Sequence, residues 1–92
     1  MKFEWDAAKS ESNREKHGIT LEAASALWAG AVLELESYYP QETRKLAIGK
    51  IGGRYWTIIF TLRGGKIRLI SARRSRENEK ALYHEKDHNQ KP

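Results

Sequence analysis

The 92-residue chain contains no cysteine. No disulfide can therefore brace the fold, and no thiolate is available as nucleophile or zinc ligand. Long apolar runs are absent as well: nothing approaches the roughly 20 consecutive apolar residues that a membrane-spanning helix needs. The opening Met1-Lys2-Phe3-Glu4-Trp5-Asp6 places acids where a secretory leader would have its apolar centre. A soluble, cytoplasmic protein with no membrane association is expected. Acidic residues are missing from one long stretch: residues 44 to 76 hold ten Lys or Arg and no Asp or Glu, within a net charge of +5. A one-sign stretch that runs through strands makes a coherent positive face, which attracts polyanions. The same face would suit an acidic protein partner. There is also no nucleophilic-serine motif, no glycine loop of the phosphate-binding kind and no carboxylate cluster for magnesium. A nuclease built on this chain is expected to work without metal or other cofactor.

What is present spells one domain, expected over residues 1–88 with a tail at 89–92. Phe3-Glu4-Trp5 alternates and reads as a short edge strand. Asp6 is placed to cap a helix over Ala7 to His17, and Gly18 to end it in the left-handed conformation. That helix has almost no apolar stripe, so something other than a greasy face must hold it. Thr20 caps a second helix, in which Leu21, Ala24, Leu27 and Trp28 follow helical spacing and should pack on a sheet. Residues 31–36 alternate cleanly. Ser37 to Thr43, with Pro40, reads as a loop. Strands follow at 44–51, 54–63 and 66–73, joined by the glycine pairs Gly52-Gly53 and Gly64-Gly65, which suit tight hairpin turns. Ser75 is the expected cap of a last helix from Arg76 to about Asp87. The expected fold is α+β: an antiparallel four-stranded meander, with a short N-terminal edge strand as an addition, two N-terminal helices and one C-terminal helix. All helices are expected on one face, leaving the other to Lys and Arg.

The run from Ile67 to Arg76 carries the strongest functional signal. A buried strand ends in Arg73-Arg74-Ser75-Arg76, so four arginines fall within nine residues when Arg68 is included. Guanidinium is permanently charged and offers a planar fork of donors to oxyanions. The first candidate for such a ligand is nucleic acid, and cleaving a phosphodiester needs a proton removed from the attacking hydroxyl, a proton given to the leaving oxygen, and stabilisation of charge on the phosphate. Arg73 and Arg74 are candidates for the last task. Their side chains leave opposite faces of a strand, and Arg73 is favoured. His17 and Tyr83 are candidates for proton transfer; their plain structural alternatives are a cation at a helix C-terminus and an amphipathic packing anchor. Arg74, Arg76, Arg54 and Lys16 are candidates for substrate binding. Trp5, Trp28 and Trp56 read as core rather than as base-stacking platforms. His84-Glu85-Lys86-Asp87-His88 has zinc-protease spacing, yet it lacks a third ligand and sits beside the terminus, so no zinc site is expected there. Three functions fit these residues: a nuclease, a non-catalytic module that grips nucleic acid or a protein partner, and a basic protein that pairs with an acidic one.

Phe3-Glu4-Trp5-Asp6, Lys9, Asn13, Lys16-His17-Gly18-Ile19, the glycine-rich meander, Ile70-Ser71-Ala72-Arg73-Arg74, Glu79 and Tyr83 together resemble the BrnT family along nearly the whole chain. Where that family commonly has proline after the first motif, this chain has Ala7, which a first helical turn accepts equally. The resemblance implies a ribonuclease toxin of a type II toxin–antitoxin pair with a fold similar to RelE toxins. It implies RNA cleavage that inhibits translation, and neutralisation by a BrnA-like antitoxin. It also implies contact with operator DNA only through the toxin–antitoxin complex, and assembly as a homodimer or as a heterotetramer with the antitoxin.

Overall fold

The computed structural model describes residues 2–36 and 44–89, with side chains up to Glu85. The loop expected at 37–43, the end of the tail at 90–92 and the side chain of His88 lie outside the described residues. The elements are β1 (Lys2–Glu4), α1 (Ala7–His17), α2 (Leu21–Ala24) continued by a 3-10 turn (Ser25–Ala29), β2 (Leu33–Glu36), β3 (Arg44–Ile51), β4 (Arg54–Arg63), β5 (Lys66–Arg74) and α3 (Glu77–Asn89).

The four runs from β2 to β5 form an antiparallel meander in sequence order. Both glycine-pair turns have positive φ, 58° and 78° at Gly52-Gly53 and 59° and 79° at Gly64-Gly65. The expected four-stranded antiparallel sheet needs one correction. The sheet has five strands in the order β1-β5-β4-β3-β2, and it is mixed, because β1 runs parallel to β5. The physical reason is the open outer edge of β5, whose unpaired N–H and C=O groups need partners. β1 covers its first three residues, with Glu4 opposite Arg68 and an ion pair between their side chains at 2.7 Å.

A second correction concerns the layers. Ala47, Ile58 and Ala72 lie opposite one another across the sheet and are fully buried with Leu21, Ala24 and Leu27. The neighbouring register of Ile48, Thr57 and Arg73 faces the other way. There α3 lies, bound to Thr57 and Arg73 through Glu79. Helices therefore cover both faces, and the bare cationic face expected from the charge pattern is occupied by α3. The clue was β4 itself: a strand apolar on both sides asks for cover on both sides.

Packing of the 3-10 turn depends on Gly49. A Cβ there would fall 2.9 Å from the Leu27 side chain and 3.1 Å from the Ala31 carbonyl oxygen. Next to Leu27, Trp28 is half-buried, with its ring 5.4 Å from Phe3 and 5.3 Å from Phe60.

The polar helix α1 is held by hydrogen bonds. Asp6 caps its start, accepting from the Lys9 N–H at 3.0 Å, and Gly18 ends it at φ 82°. Ser10 accepts from the Leu21 N–H at 2.9 Å. Asn13, buried, does the most. Its carboxamide accepts from the Ala72 N–H at 3.0 Å and donates to the Ala72 and Ile19 carbonyls at 2.9 and 2.8 Å. The amide thus takes the place of a strand beside the second half of β5. Asn13→Ala should leave buried Ala72 groups without partners, at about 1–3 kcal/mol for each. At about 4–8 °C per kcal/mol for a domain of this size, melting should fall by about 8 °C or more. A thermal melt within about 2 °C of wild type would show the carboxamide to be dispensable.

Candidate functional site

The arginine-rich end of β5 is organised by a carboxylate. Glu79 is 1% exposed and is met by the Arg73 fork in a bidentate pair, Nη1 to Oε1 and Nη2 to Oε2, both 2.8 Å. Its Oε1 also accepts from the Thr57 hydroxyl at 3.0 Å and from the Arg76 N–H at 2.8 Å. That last bond serves the start of α3: the Arg76 carbonyl accepts the first helical bonds from Glu79 and Lys80, and the third helical residue reaches back to cap it. Ser75, expected to be the cap, instead shares a hydrogen bond with Thr57 at 2.8 Å. Burial pushes the Glu79 carboxyl up. The Arg73 fork, the Arg76 N–H and the Thr57 hydroxyl outweigh it and hold the group at about 2 against an ordinary 4.5.

Arg73, the favoured phosphate ligand, thus has two of its nitrogens on Glu79. Tyr83, the candidate for proton transfer, is buried and donates its hydroxyl to the Ala31 carbonyl at 3.2 Å. Arg74 is exposed and lies over the Trp56 ring at 5.6 Å. Arg54 and Arg76 are exposed at the same end of the sheet, where β4 begins and β5 ends. These residues form a cationic rim rather than an enclosed site.

His17 and Lys16 are placed differently. Lys9, Ser12, Asn13 and Lys16 make one stripe of α1 at helical spacing. With His17 they line an open pocket of ≈ 230 Å³, closed on its other side by Ile70 and Ser71. The strand is irregular at this point: Ile59 pairs with Ser71 but Phe60 with Leu69, so Ile70 is an extra residue in β5. A bulge re-aims side chains and ends pairing, and bulges gather beside functional sites. Here it falls on the stretch of outer edge between the part covered by β1 and the part covered by Asn13. Among the candidates, then, the fold brings Lys16 and His17 together, and separately Arg73, Arg76 and the α3 face.

Ser12, Lys9, Ser71 and Tyr55 carry no functional signal in the sequence. Lys9 and Ser71 were visible only as parts of motifs, and nothing local marks Ser71 as a pocket wall. The Tyr55 hydroxyl and His84 Nε2 share a hydrogen bond at 2.8 Å, a contact spanning two elements. Among the described residues no three His, Asp or Glu side chains converge as metal ligands. The zinc-like spacing of His84 and His88 involves a side chain outside the described residues.

Residues 5–79 match the family described as the ribonuclease toxin, BrnT, of a type II toxin–antitoxin system. The chain belongs to the BrnT family. No individual curated protein matches it. BrnT proteins are ribonuclease toxins, and membership of a type II system implies an antitoxin partner. No described helix is long and apolar enough to cross a membrane.

The Glu79 network gives BrnT architecture a testable acid limit. A carboxyl held at about 2 when folded and near 4.5 when unfolded contributes stability that is complete above about pH 4.5 and lost progressively as pH falls toward 2. Glu79→Gln should flatten that part of the melting-against-pH profile. Arg73→Ala strands a buried carboxylate and should cost about 3–5 kcal/mol of stability. Equal melting of Arg73→Ala and wild type at pH 7 would refute the structural role of the pair.

Proposed function

We propose that this chain is a metal-independent endoribonuclease whose cleavage site is the α1–β5 pocket, that it inhibits translation by cutting RNA, and that a BrnA-like antitoxin neutralises it. One observation carries the reading of the site. His17, Lys9 and Lys16 line one open pocket whose lining includes no carboxylate. Two ammonium groups suit a phosphodiester, and an imidazole beside them suits proton transfer. A pocket lined in this way has no anionic ligand for a divalent cation, which supports chemistry by side chains alone.

In this reading the scissile phosphate lies between Lys9 and Lys16. His17 takes the proton of the neighbouring 2′-hydroxyl. The bond from O2′ to phosphorus forms as the bond to O5′ breaks, and the departing oxygen takes its proton from water entering the open pocket. The products are a 2′,3′-cyclic phosphate and a 5′-hydroxyl. The lysines neutralise charge that grows on the phosphate oxygens. Arg74, Arg76 and Arg54 grip the backbone further along. Arg73, paired with Glu79, and Tyr83, bonded to the Ala31 carbonyl, hold α3 on the sheet in this reading. The meander with helices on both faces supports kinship with RelE toxins. The antitoxin would carry the DNA contact, and a heterotetramer accommodates both.

General acid–base groups commonly contribute 10²–10⁴-fold. His17→Ala should therefore lower the rate of RNA cleavage by about 10²–10⁴-fold at unchanged melting temperature. Wild-type cleavage should persist in excess chelator and leave cyclic-phosphate ends. Cleavage by His17→Ala at the wild-type rate would overturn the assignment of the pocket, and cleavage abolished by chelator would overturn metal independence. Growth arrest on expression, relieved by the antitoxin, tests the cellular role.

A further inference from the structure

On the face covered by α3, a second group of side chains has no part in the pocket. Lys50 and Tyr55 are directly opposite each other on β3 and β4, so both side chains leave the sheet on one side. Over them α3 sets Lys80, Tyr83 and His84, which share a helix face. The Tyr55 ring is the centre of the group. It stands edge-on to Tyr83 at 5.9 Å and to His84 at 5.5 Å. Its hydroxyl is hydrogen-bonded to His84 Nε2 at 2.8 Å. The Lys50 and Lys80 ammonium groups lie 5.0 and 5.8 Å from its centroid.

Each ammonium is attracted to the ring face, yet the two cations repel each other. Lys80 is paired with Glu77, 3.3 Å away and 92% exposed. An exposed pair of this kind contributes little and is readily displaced. The ring is held rigidly, because Tyr83 beside it is buried and bonded to the Ala31 carbonyl. Such a cluster offers ammonium donors and an imidazole around an aromatic anchor, and Lys50 and His84 are exposed. That is the chemistry of single-strand recognition, in which cations take the phosphates and rings take the bases. A carboxylate-bearing peptide would be better matched by arginine forks.

We propose that Lys50, Tyr55, Lys80 and His84 form a phosphodiester-binding subsite for single-stranded RNA on the α3 face. It would hold the strand away from the point of cleavage. The proposal rests on the chain acting on RNA and does not depend on which residue cuts.

The test uses the full chain and a 2′-O-methylated RNA oligonucleotide, which can be bound but not cleaved. Its affinity is measured from low to high salt. For single strands each phosphate contact adds about 0.7 to the slope of log affinity against log salt. Lys50→Ala/Lys80→Ala should weaken binding and lower that slope by about 1.4, at unchanged melting, and Lys50→Arg/Lys80→Arg should restore it. An unchanged slope and affinity, or no binding of the oligonucleotide by wild type, would overturn the subsite. So would unchanged RNA binding with weakened antitoxin binding, which would make this face a protein interface. His17→Ala should keep the wild-type slope. Full activity of that variant, with the slope still lowered by the lysine changes, would sink the pocket alone and leave the subsite standing.

Discussion

A single buried carboxylate joins the two halves of this molecule. Glu79 binds the last strand through Arg73, the central strand through Thr57 and its own helix through the Arg76 N–H. The covered α3 face, with Leu46 and Ile48 buried in it, depends on that junction. Burying a carboxylate is costly unless its oxygens are fully engaged, and here donors from three elements converge on it. The ionic pair also sets direction. A bidentate fork tolerates little rotation, so α3 leaves the strand at a defined angle and carries Lys80, Tyr83 and His84 to fixed places. The arginine cluster that looked most like a ligand site is thus partly scaffold.

The pocket arises from the opposite situation, a strand edge that is incompletely paired. β1 is too short to cover all of β5, Asn13 covers one residue further on, and the bulge at Ile70 lies between. Helix α1 is brought to this edge by polar bonds from Ser10 and Asn13. Its remaining stripe, Lys9, Ser12, Lys16 and His17, is thereby aimed along the gap. A helix with a broad apolar stripe would have settled on the sheet face and left the edge bare. The unusual polarity of α1 is therefore what turns an open edge into a pocket.

Much of this was legible in the residues. The extents of α1 and of β3, β4 and β5, both glycine turns and both N-terminal caps follow from local chemistry: alternation, helical spacing, and the side-chain oxygens of Asp6 and Thr20. What local chemistry does not encode is partnership across the chain. That β1 joins β5 in parallel depends on contacts more than sixty residues apart, such as Glu4 with Arg68. That Arg73 meets Glu79 depends on the turn at Ser75, whose hydroxyl is drawn to Thr57 instead of the helix. Arginine before a helix reads the same whether it awaits a phosphate or a carboxylate six residues on. The spacing of His84 to His88 is visible in sequence, whereas its approach to Tyr55 is not.

The carboxamide of Asn13 has one more consequence. Exposed strand edges are where one chain recruits another. A side chain that answers both the N–H and the C=O of Ala72 leaves no backbone register there for a second copy to extend. Here the cover over that part of the edge is a neutral amide, and salt does not screen it as it would a charged pair.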